Sequence, residues 1–137
     1  MEHIAILRQP FFDMIIRGEK TIESRWSMNR SAPFNKVQAG DKILLKRTGC
    51  PVTATATAKK VMQFELTPDK VEDIRVMYGK QIGTDKFEDW QDTLHKKYCT
   101  LIWLENVEEI EPIEVPRSNG AGWIVVKPKL EQLKFEN

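Results

Sequence analysis

The sequence predicts an α+β domain in which a mostly antiparallel sheet or small barrel is covered by a few helices. The 137 residues fit one domain, and 41% hydrophobic with 30% charged residues suffice for a folded core. Residues 52–58 alternate between Val or Ala and Thr, which is the period of a half-buried strand. Strand and helix segments do not alternate regularly along the chain, and this disfavours a doubly wound parallel sheet.

The chain begins with a predicted strand, helix and second strand. Residues 3–7 form a short apolar strand. Pro10 suits the first turn of the helix, and Gly18 suits its end, where a left-handed residue is favoured. Residues 21–26 alternate as the second strand. Its faces carry Thr21, Glu23 and Arg25 on one side, and Ile22, Ser24 and Trp26 on the other.

A long irregular segment and two more strands follow. Residues 27–41 show little regular pattern, and loops of this length often form lids or binding surfaces. Strands are predicted at 42–47 and 52–58, the latter extending towards Phe64. Because one face of 52–58 is small and apolar, we expect another element, such as the first helix, to pack closely on it.

The second half is predicted to contain two helices and three strands. Thr67 is placed as the N-cap of a helix that ends at Gly79 or Gly83. Asp85 and Glu88 have the spacing of a capping box, which predicts a further helix with the apolar stripe Phe87, Trp90 and Leu94. Strands are expected at 100–107, 110–115 and 123–126, with Pro112 at a sheet edge. The loop 118–122 is rich in turn residues, and the tail after Pro128 is predicted as helical or frayed.

Several classes of protein are disfavoured by composition. The longest apolar stretches are far shorter than the roughly 20 residues of a membrane span, and the start has no secretory signal pattern. We therefore expect a cytoplasmic protein without membrane contact. Cys50 and Cys99 are far apart and lack a Cys-x-x-Cys partner, which argues against a disulfide scaffold or zinc ribbon. His3 and His95 are isolated, so neither a metal site nor a cofactor is expected.

Charge is distributed unevenly along the chain. The net charge is +1, but residues 1–60 hold 11 Lys or Arg against 5 Asp or Glu, whereas residues 61–137 hold 10 against 15. This asymmetry can produce one basic and one acidic face. The alternative is a chance distribution over a solvated surface.

The most informative segment is Gly18-Glu19-Lys20-Thr21-Ile22-Glu23-Ser24-Arg25. Lys20 lies in the predicted turn, where its ammonium can swing over a cleft, and Glu23 and Arg25 share a strand face. Arg and Lys can together hold an anion while Glu accepts a donor, which suits a base edge plus a phosphate. The alternative is an exposed Glu23–Arg25 salt bridge, worth about 0–1 kcal/mol, with Lys20 solvated.

The pattern Gly18-x-Lys20-x-x-Glu23-x-Arg25 resembles the signature of the ASCH domain family, named for activating signal cointegrator homology. The likeness is sharpest over residues 4–47. It implies a PUA-like fold, a small mostly antiparallel β-pseudobarrel flanked by helices, over residues 1–137. It also implies association with RNA through a cleft near this motif. Some members of the family that this chain resembles are regarded as enzymes: one branch deacylates a modified cytidine, and another cuts RNA.

The resemblance also suggests catalytic roles. In the deacylating branch a threonine nucleophile stands where this chain has Glu23. The catalytic helix glutamate of that branch has no clear counterpart here, and Glu72 is one candidate. Thr21 is a nearby hydroxyl whose one evident base is Lys20. If the protein turns over a substrate, we expect Glu23 to act as general base on water and Lys20 as its electrophilic or acidic partner.

Ligand contacts are expected around the same motif. The predicted binding residues are Lys20, Glu23, Arg25, Arg30, Lys46 and Trp26, with Lys36, Lys42 and Arg47 as further basic positions on the rim. Trp26 and Trp123 are candidates for stacking on a base, whereas Trp90 and Trp103 are assigned to the core. The segment 120–122 either presents backbone amides to a phosphate or forms a hairpin turn.

Three functions remain open from the sequence. The first is a module that binds RNA or a modified nucleoside or nucleotide without turnover, and it is preferred because the branch-specific nucleophile is missing. The second is a small hydrolase acting on an N4-acylcytidine-type amide or on RNA phosphodiesters. The third is a protein-interaction domain. Fold alone does not choose among them.

Overall fold

A computed structural model describes residues 1–116 and 119–127. Within these residues, six strands, two α-helices and one 3₁₀ helix are formed. In chain order they are β1 (Glu2–Leu7), α1 (Phe11–Ile16), β2 (Ile22–Ser27), β3 (Lys42–Arg47), β4 (Val52–Glu65), α2 (Pro68–Ile82), the 3₁₀ helix (Phe87–His95), β5 (Tyr98–Ile113) and β6 (Trp123–Val126). None of these helices is long and apolar enough to cross a membrane.

The described strands form a single sheet in the order β2-β5-β4-β3-β1-β6. β1 and β3 pair in parallel, and every other neighbouring pair is antiparallel, which confirms the predicted α+β class with a mostly antiparallel sheet. The sheet curls so that its two ends approach each other. The Arg25 guanidinium on β2 donates to the carbonyls of Ile6, on β1, and Gly122, just before β6.

One buried cluster fills the interior between the sheet and α1. The small face of β4, formed by Ala54, Ala56 and Ala58, is completely buried in this cluster together with Phe12 and Ile15 of α1. α1 contacts the flanking strands β3 and β5, and the small alanine side chains of β4 leave room for the side chains of Phe12 and Ile15 between them. The predicted packing of an element on this face is therefore confirmed.

A second cluster packs α2 and the 3₁₀ helix against the other face of β2 and β5. Val71 and Ile74 of α2 are buried there with Ile22 of β2. α2 begins as predicted: the Thr67 hydroxyl accepts a hydrogen bond from the Lys70 amide at 3.2 Å. It ends at Gly83, whose φ of +129° disfavours a residue with a side chain.

The helix predicted after Asp85 differs from expectation. It is a 3₁₀ helix that begins at Phe87 and has no side-chain cap, so the capping-box prediction is wrong. The turn is organised instead by the Thr84 hydroxyl, which donates to the Asp89 carboxylate at 2.6 Å and accepts from the Lys86 amide at 3.3 Å. In this tighter geometry Trp90 is buried while Phe87 is 50% exposed.

The strands predicted at 100–107 and 110–115 are one continuous strand, β5. β4 is long enough to pair with the whole of β5, from Tyr98 opposite Glu65 to Ile113 opposite Val52. Asn106, with a φ of +52°, accommodates the irregular register there without ending the strand. Of the described residues, β2 pairs only with 98–103 of β5, so Pro112 does lie at a free edge. Ser118 and the tail after Pro128 fall outside the described residues.

We predict that Ala56→Leu destabilises the fold by about 1–3 kcal/mol, because the larger side chain would overpack the space under α1. Urea unfolding at neutral pH measures the change in the free energy of unfolding. Lys59→Leu, at an exposed position on the same strand, is the control and should change it by less than about 0.5 kcal/mol. An equal loss for both variants would contradict the packing described for β4.

Candidate functional site

The turn between α1 and β2 buries Lys20. α1 ends at Ile16, and Gly18, just past the helix, has a φ of +77°. The amides of Glu19 and Lys20 both donate to the carbonyl of Met14. These bonds reverse the chain tightly and direct the Lys20 side chain inward, where it is only 2% exposed. The prediction that glycine ends the helix is confirmed. The alternative of a solvated Lys20 is wrong, and the ammonium is held beside the cavity by its bonds instead of swinging over it.

The Lys20 ammonium has an acceptor for each of its N–H donors. It donates to the carbonyl of Ile22 at 2.8 Å and to the carbonyl of Ile82 at the end of α2, and it pairs with Glu23 Oε1 at 3.1 Å. An ammonium has three N–H donors, so these three acceptors saturate it. Lys20 thereby joins the end of α2 to β2.

Glu23 lies between two cations. Its Oε1 accepts from Lys20 and from the Ser24 amide at 3.0 Å, and its Oε2 accepts from Arg25 Nη2 at 2.9 Å and Nε at 3.2 Å. The carboxylate is 8% exposed and Arg25 is 19% exposed. The predicted ion pair on one strand face exists, but it is buried rather than solvated.

Burial and pairing shift both pKa values of the inner pair. Burial lowers the pKa of Lys20 below its ordinary value, although Glu23 opposes this shift. Burial acts to raise the pKa of Glu23, but the charges of Lys20 and Arg25 outweigh it and lower the pKa below its ordinary value. Glu23 therefore remains a carboxylate at neutral pH.

A cavity of about 310 Å³ adjoins this ion network. It lies between the end of β1, the start of α1, β2, the end of α2 and the 3₁₀ helix. Its aromatic walls are Phe11, Trp26 and Trp90. Polar groups are contributed by Arg8, Lys20, Glu23, Ser24, Arg25, Thr84, Asp89 and Thr93. A few convergent polar groups among aromatic walls are typical of small-ligand sites.

The structure brings together four of the predicted site residues. Lys20, Glu23, Arg25 and Trp26 all line this cavity. The Trp26 ring stands edge-on to Trp90, with 5.2 Å between centroids, and its indole N–H donates to the Ser24 hydroxyl at 3.0 Å. Trp90 was assigned to the core, and it is both buried and part of the cavity wall.

Other predicted residues lie elsewhere. Thr21 is exposed, Lys46 is half-buried on β3, and Arg30 forms an exposed ion pair with Glu65 at 3.0 Å. None of the three is among the residues that line this cavity. Glu72, the candidate helix carboxylate, pairs with Arg75 on α2 and does not line it either. Lys36, Lys42 and Arg47 are exposed.

The glycine-rich segment before β6 supports Arg25. Asn119 and Gly120 have φ values of +53° and +87°, as in a tight turn. The predicted hairpin turn is wrong, because β6 pairs with β1 and not with β5. The Gly122 carbonyl accepts from Arg25 Nη1 at 2.8 Å. A Cβ at Gly122 would lie 2.9 Å from that nitrogen, so glycine allows the guanidinium to approach. The Arg25 guanidinium carbon lies 5.3 Å from the centre of the Trp123 ring. The indole N–H of Trp123 donates to His3 Nδ1 at 3.1 Å.

Sequence analysis missed four polar residues of the cavity: Arg8, Thr84, Asp89 and Thr93. Arg8 directly follows β1, and a cation at the end of a strand was a detectable signal. Asp89 and Thr93 are four residues apart on the 3₁₀ helix, but the segment was interpreted only by its apolar stripe. In the described residues no group of three or more His, Cys, Asp or Glu is placed to hold a metal ion.

Comparisons with known proteins identify the fold. No protein-family model and no curated protein matches the sequence. Among solved structures, the chain is similar to an ASCH protein from Zymomonas mobilis, with 20% identity and a TM-score of 0.69 over 98% of this chain and 93% of that one. Its serine-to-alanine variant has 18% identity and a TM-score of 0.72 over 98% of this chain and 94% of that one. Its tyrosine-to-phenylalanine variant has 18% identity and a TM-score of 0.71 over 98% of this chain and 96% of that one. The chain therefore has the fold of these ASCH structures, as the resemblance of its motif implied.

We predict that Glu23→Gln destabilises the protein by about 3–5 kcal/mol, because Lys20 and Arg25 would remain buried without their counter-charge. Urea unfolding at pH 7 measures the change. Glu19→Gln is the matched control: it removes the same charge from the exposed Arg17–Glu19 pair and should leave stability unchanged. Similar behaviour of the two variants would mean that the network does not stabilise the fold.

The stabilisation by Glu23 should also depend on pH. Its folded pKa lies below the ordinary value of 4.5, so its contribution is complete above that value and disappears as the pH falls through the folded pKa. The difference in unfolding free energy between the wild type and Glu23→Gln should therefore narrow as the pH is lowered from 7 to 3. Urea unfolding across this range measures the difference, and a gap that stays constant contradicts the assignment.

Proposed function

We propose that the protein binds a nucleotide or a nucleotide unit of single-stranded RNA, with the base held in the cavity beside the Lys20–Glu23–Arg25 network. The observation that carries this proposal is the position of that cavity, which lies between Trp26 and Trp90 on one side and the Lys20–Glu23–Arg25 network on another. Contact of a base with aromatic side chains contributes about 1–3 kcal/mol per base.

The polar residues suit the edges of a base. The Asp89 carboxylate uses Oδ2 for the Thr84 hydroxyl, and Oδ1 has no hydrogen-bond partner among the described residues, so it is available to an exocyclic amine. Thr93 donates its hydroxyl to the Trp90 carbonyl and retains lone pairs for a ligand donor. Such groups orient a planar ligand that the aromatic walls alone would not fix.

The charges favour an anionic ligand. Arg8, Lys20 and Arg25 contribute three positive charges to the cavity lining against the carboxylates of Glu23 and Asp89, which leaves a net charge of +1. Arg8 is exposed at the edge of the cavity, and its guanidinium makes no hydrogen bond to another described residue. A phosphate near Arg8 would therefore gain a charge-assisted bond without breaking an existing one.

A hydrolase is the second candidate, and one observation favours it. Lys20, whose pKa is lowered by burial, lines the same cavity as Glu23, and shifted ionisable groups often mark catalytic sites. Against it, each oxygen of Glu23 already accepts from two donors, and its lowered pKa makes it a poor base. Thr21 is exposed and outside the cavity lining, so acyl transfer to its hydroxyl has no support.

We predict that Arg8→Ala weakens nucleotide binding without changing stability. Titration of the four nucleoside 5′-monophosphates and of short single-stranded RNA, followed by calorimetry at two salt concentrations, measures the affinity. Loss of one phosphate contact should lower the affinity similarly for all sequences and reduce the logarithmic salt slope by about 1. Arg17→Ala, which removes an exposed arginine outside the cavity, is the control and should bind as the wild type does.

Activity assays on the same protein distinguish nucleotide binding from hydrolysis and from a protein-interaction role. Incubation with RNA and with an N4-acylcytidine, analysed by chromatography, should show no product. Product that disappears in Lys20→Met, with the fold intact by circular dichroism, would instead establish the hydrolase. If neither binding nor product is found with folded protein, the nucleotide proposal fails and a protein-interaction role becomes the better explanation.

A further inference from the structure

A second cavity, of about 180 Å³, lies next to the first. Arg25 and Trp26 line both cavities, so these two side chains form the wall between them. The rest of the second cavity comes from the end of β2, the loop that follows it, Thr100 of β5, and β6 with the residue before it. This arrangement places two hollows in succession along the curled edge of the sheet.

The second cavity has the same kind of lining as the first. Phe34 and Trp123 contribute aromatic surface, and Ser27 and Ser31 contribute hydroxyls. The loop is held in shape by the bond from the Phe34 amide to the Ser31 carbonyl at 3.1 Å. Phe34 also packs against Tyr98, with 5.1 Å between ring centroids. The cavity is thus formed before any ligand arrives, which lowers the cost of binding.

Arg25 has one donor left for a ligand at the dividing wall. Its guanidinium carries five N–H groups. Nε and one N–H of Nη2 bind Glu23, the other N–H of Nη2 binds the Ile6 carbonyl, and one N–H of Nη1 binds the Gly122 carbonyl. The second N–H of Nη1 has no acceptor among the described residues. The side chain is 19% exposed, so this charged donor is accessible at the point where the cavities meet.

We propose that the two cavities are successive subsites for a single-stranded dinucleotide step, with one base in each and the linking phosphate at Arg25. This inference rests on the proposed function, and it specifies the ligand as a dinucleotide or longer strand rather than a nucleoside. Two aromatic-walled hollows separated by a cation match the repeating order of base, phosphate and base. Joining two weakly bound units raises the affinity, because the second binds at a high effective concentration.

Arg30 gains a role in this arrangement. It directly precedes Ser31 of the second cavity, and its guanidinium lies 5.5 Å from the ring of Tyr98, against which Phe34 packs. Its only ion pair among the described residues is the exposed one with Glu65. Exposed pairs are weak, so a phosphate leaving the second subsite can replace Glu65 at little cost.

The test compares ligands that differ by one group. For each base, calorimetry measures binding of the nucleoside 5′-monophosphate, the nucleoside 3′,5′-bisphosphate and the 5′-phosphorylated homodinucleotide. We expect the dinucleotide to bind at least tenfold more tightly than the bisphosphate for at least one base. The bisphosphate supplies the second phosphate without the second base, so this comparison isolates the second subsite.

Two tryptophan substitutions in the loop complete the test. Ser31→Trp should fill the second cavity and remove the dinucleotide advantage while leaving the affinity for the monophosphate unchanged. Met28→Trp, at an exposed position of the same loop that does not line the cavity, is the matched control and should keep the advantage. Both positions are exposed, so both variants should fold, and thermal unfolding checks this.

The possible outcomes separate the two proposals. If the monophosphate binds but the dinucleotide binds no more tightly than the bisphosphate, the second subsite is refuted and the proposed function stands. An advantage that survives Ser31→Trp refutes it equally, because the second base must then lie elsewhere. If no nucleotide binds at all, the proposed function itself fails.

Discussion

The carboxylate of Glu23 is held between the Lys20 ammonium at 3.1 Å and the Arg25 guanidinium at 2.9 Å, and the closure of the sheet depends on this arrangement. Removing three charges from water is costly, and the ion pairs alone do not reliably offset that cost. Hydrogen bonds to four backbone carbonyls help to offset this desolvation cost. Lys20 donates to the carbonyls of Ile22 and Ile82, and Arg25 donates to those of Ile6 and Gly122. The network therefore ties α2 and the opposite end of the curled sheet, at β1 and β6, to β2.

This structural role restricts what the same groups can do chemically. A general base must be able to accept a proton, but the two cations stabilise Glu23 as a carboxylate and all its bonds stabilise that form further. Protonating it during a reaction would weaken the bonds that close the sheet. Fixed charges of this kind are better suited to presenting a rigid wall and a positive field to a ligand. The geometry thus favours recognition over turnover.

The sequence predicted those features that depend on near neighbours. Gly18 as the end of α1, Thr67 as an N-cap and the alternation in β4 follow from local backbone preferences, and the structure confirms them. The burial of Lys20 was not predictable, because its acceptor at Ile82 lies 62 residues away in the sequence. Asp89 was missed for a similar reason: only the folded chain brings the 3₁₀ helix opposite β2.

The two cavities differ in how they depend on the rest of the fold. The first is walled by residues from five separate elements, and it includes the whole ion network, so most changes there also disturb sheet closure. The second takes four of its residues, Ser31 to Phe34, from the irregular segment that the sequence marked as a candidate binding loop. That loop can change without touching Lys20 or Glu23. Selectivity for a ligand can therefore be adjusted through the loop while Arg25, the residue shared by both cavities, stays fixed by the network.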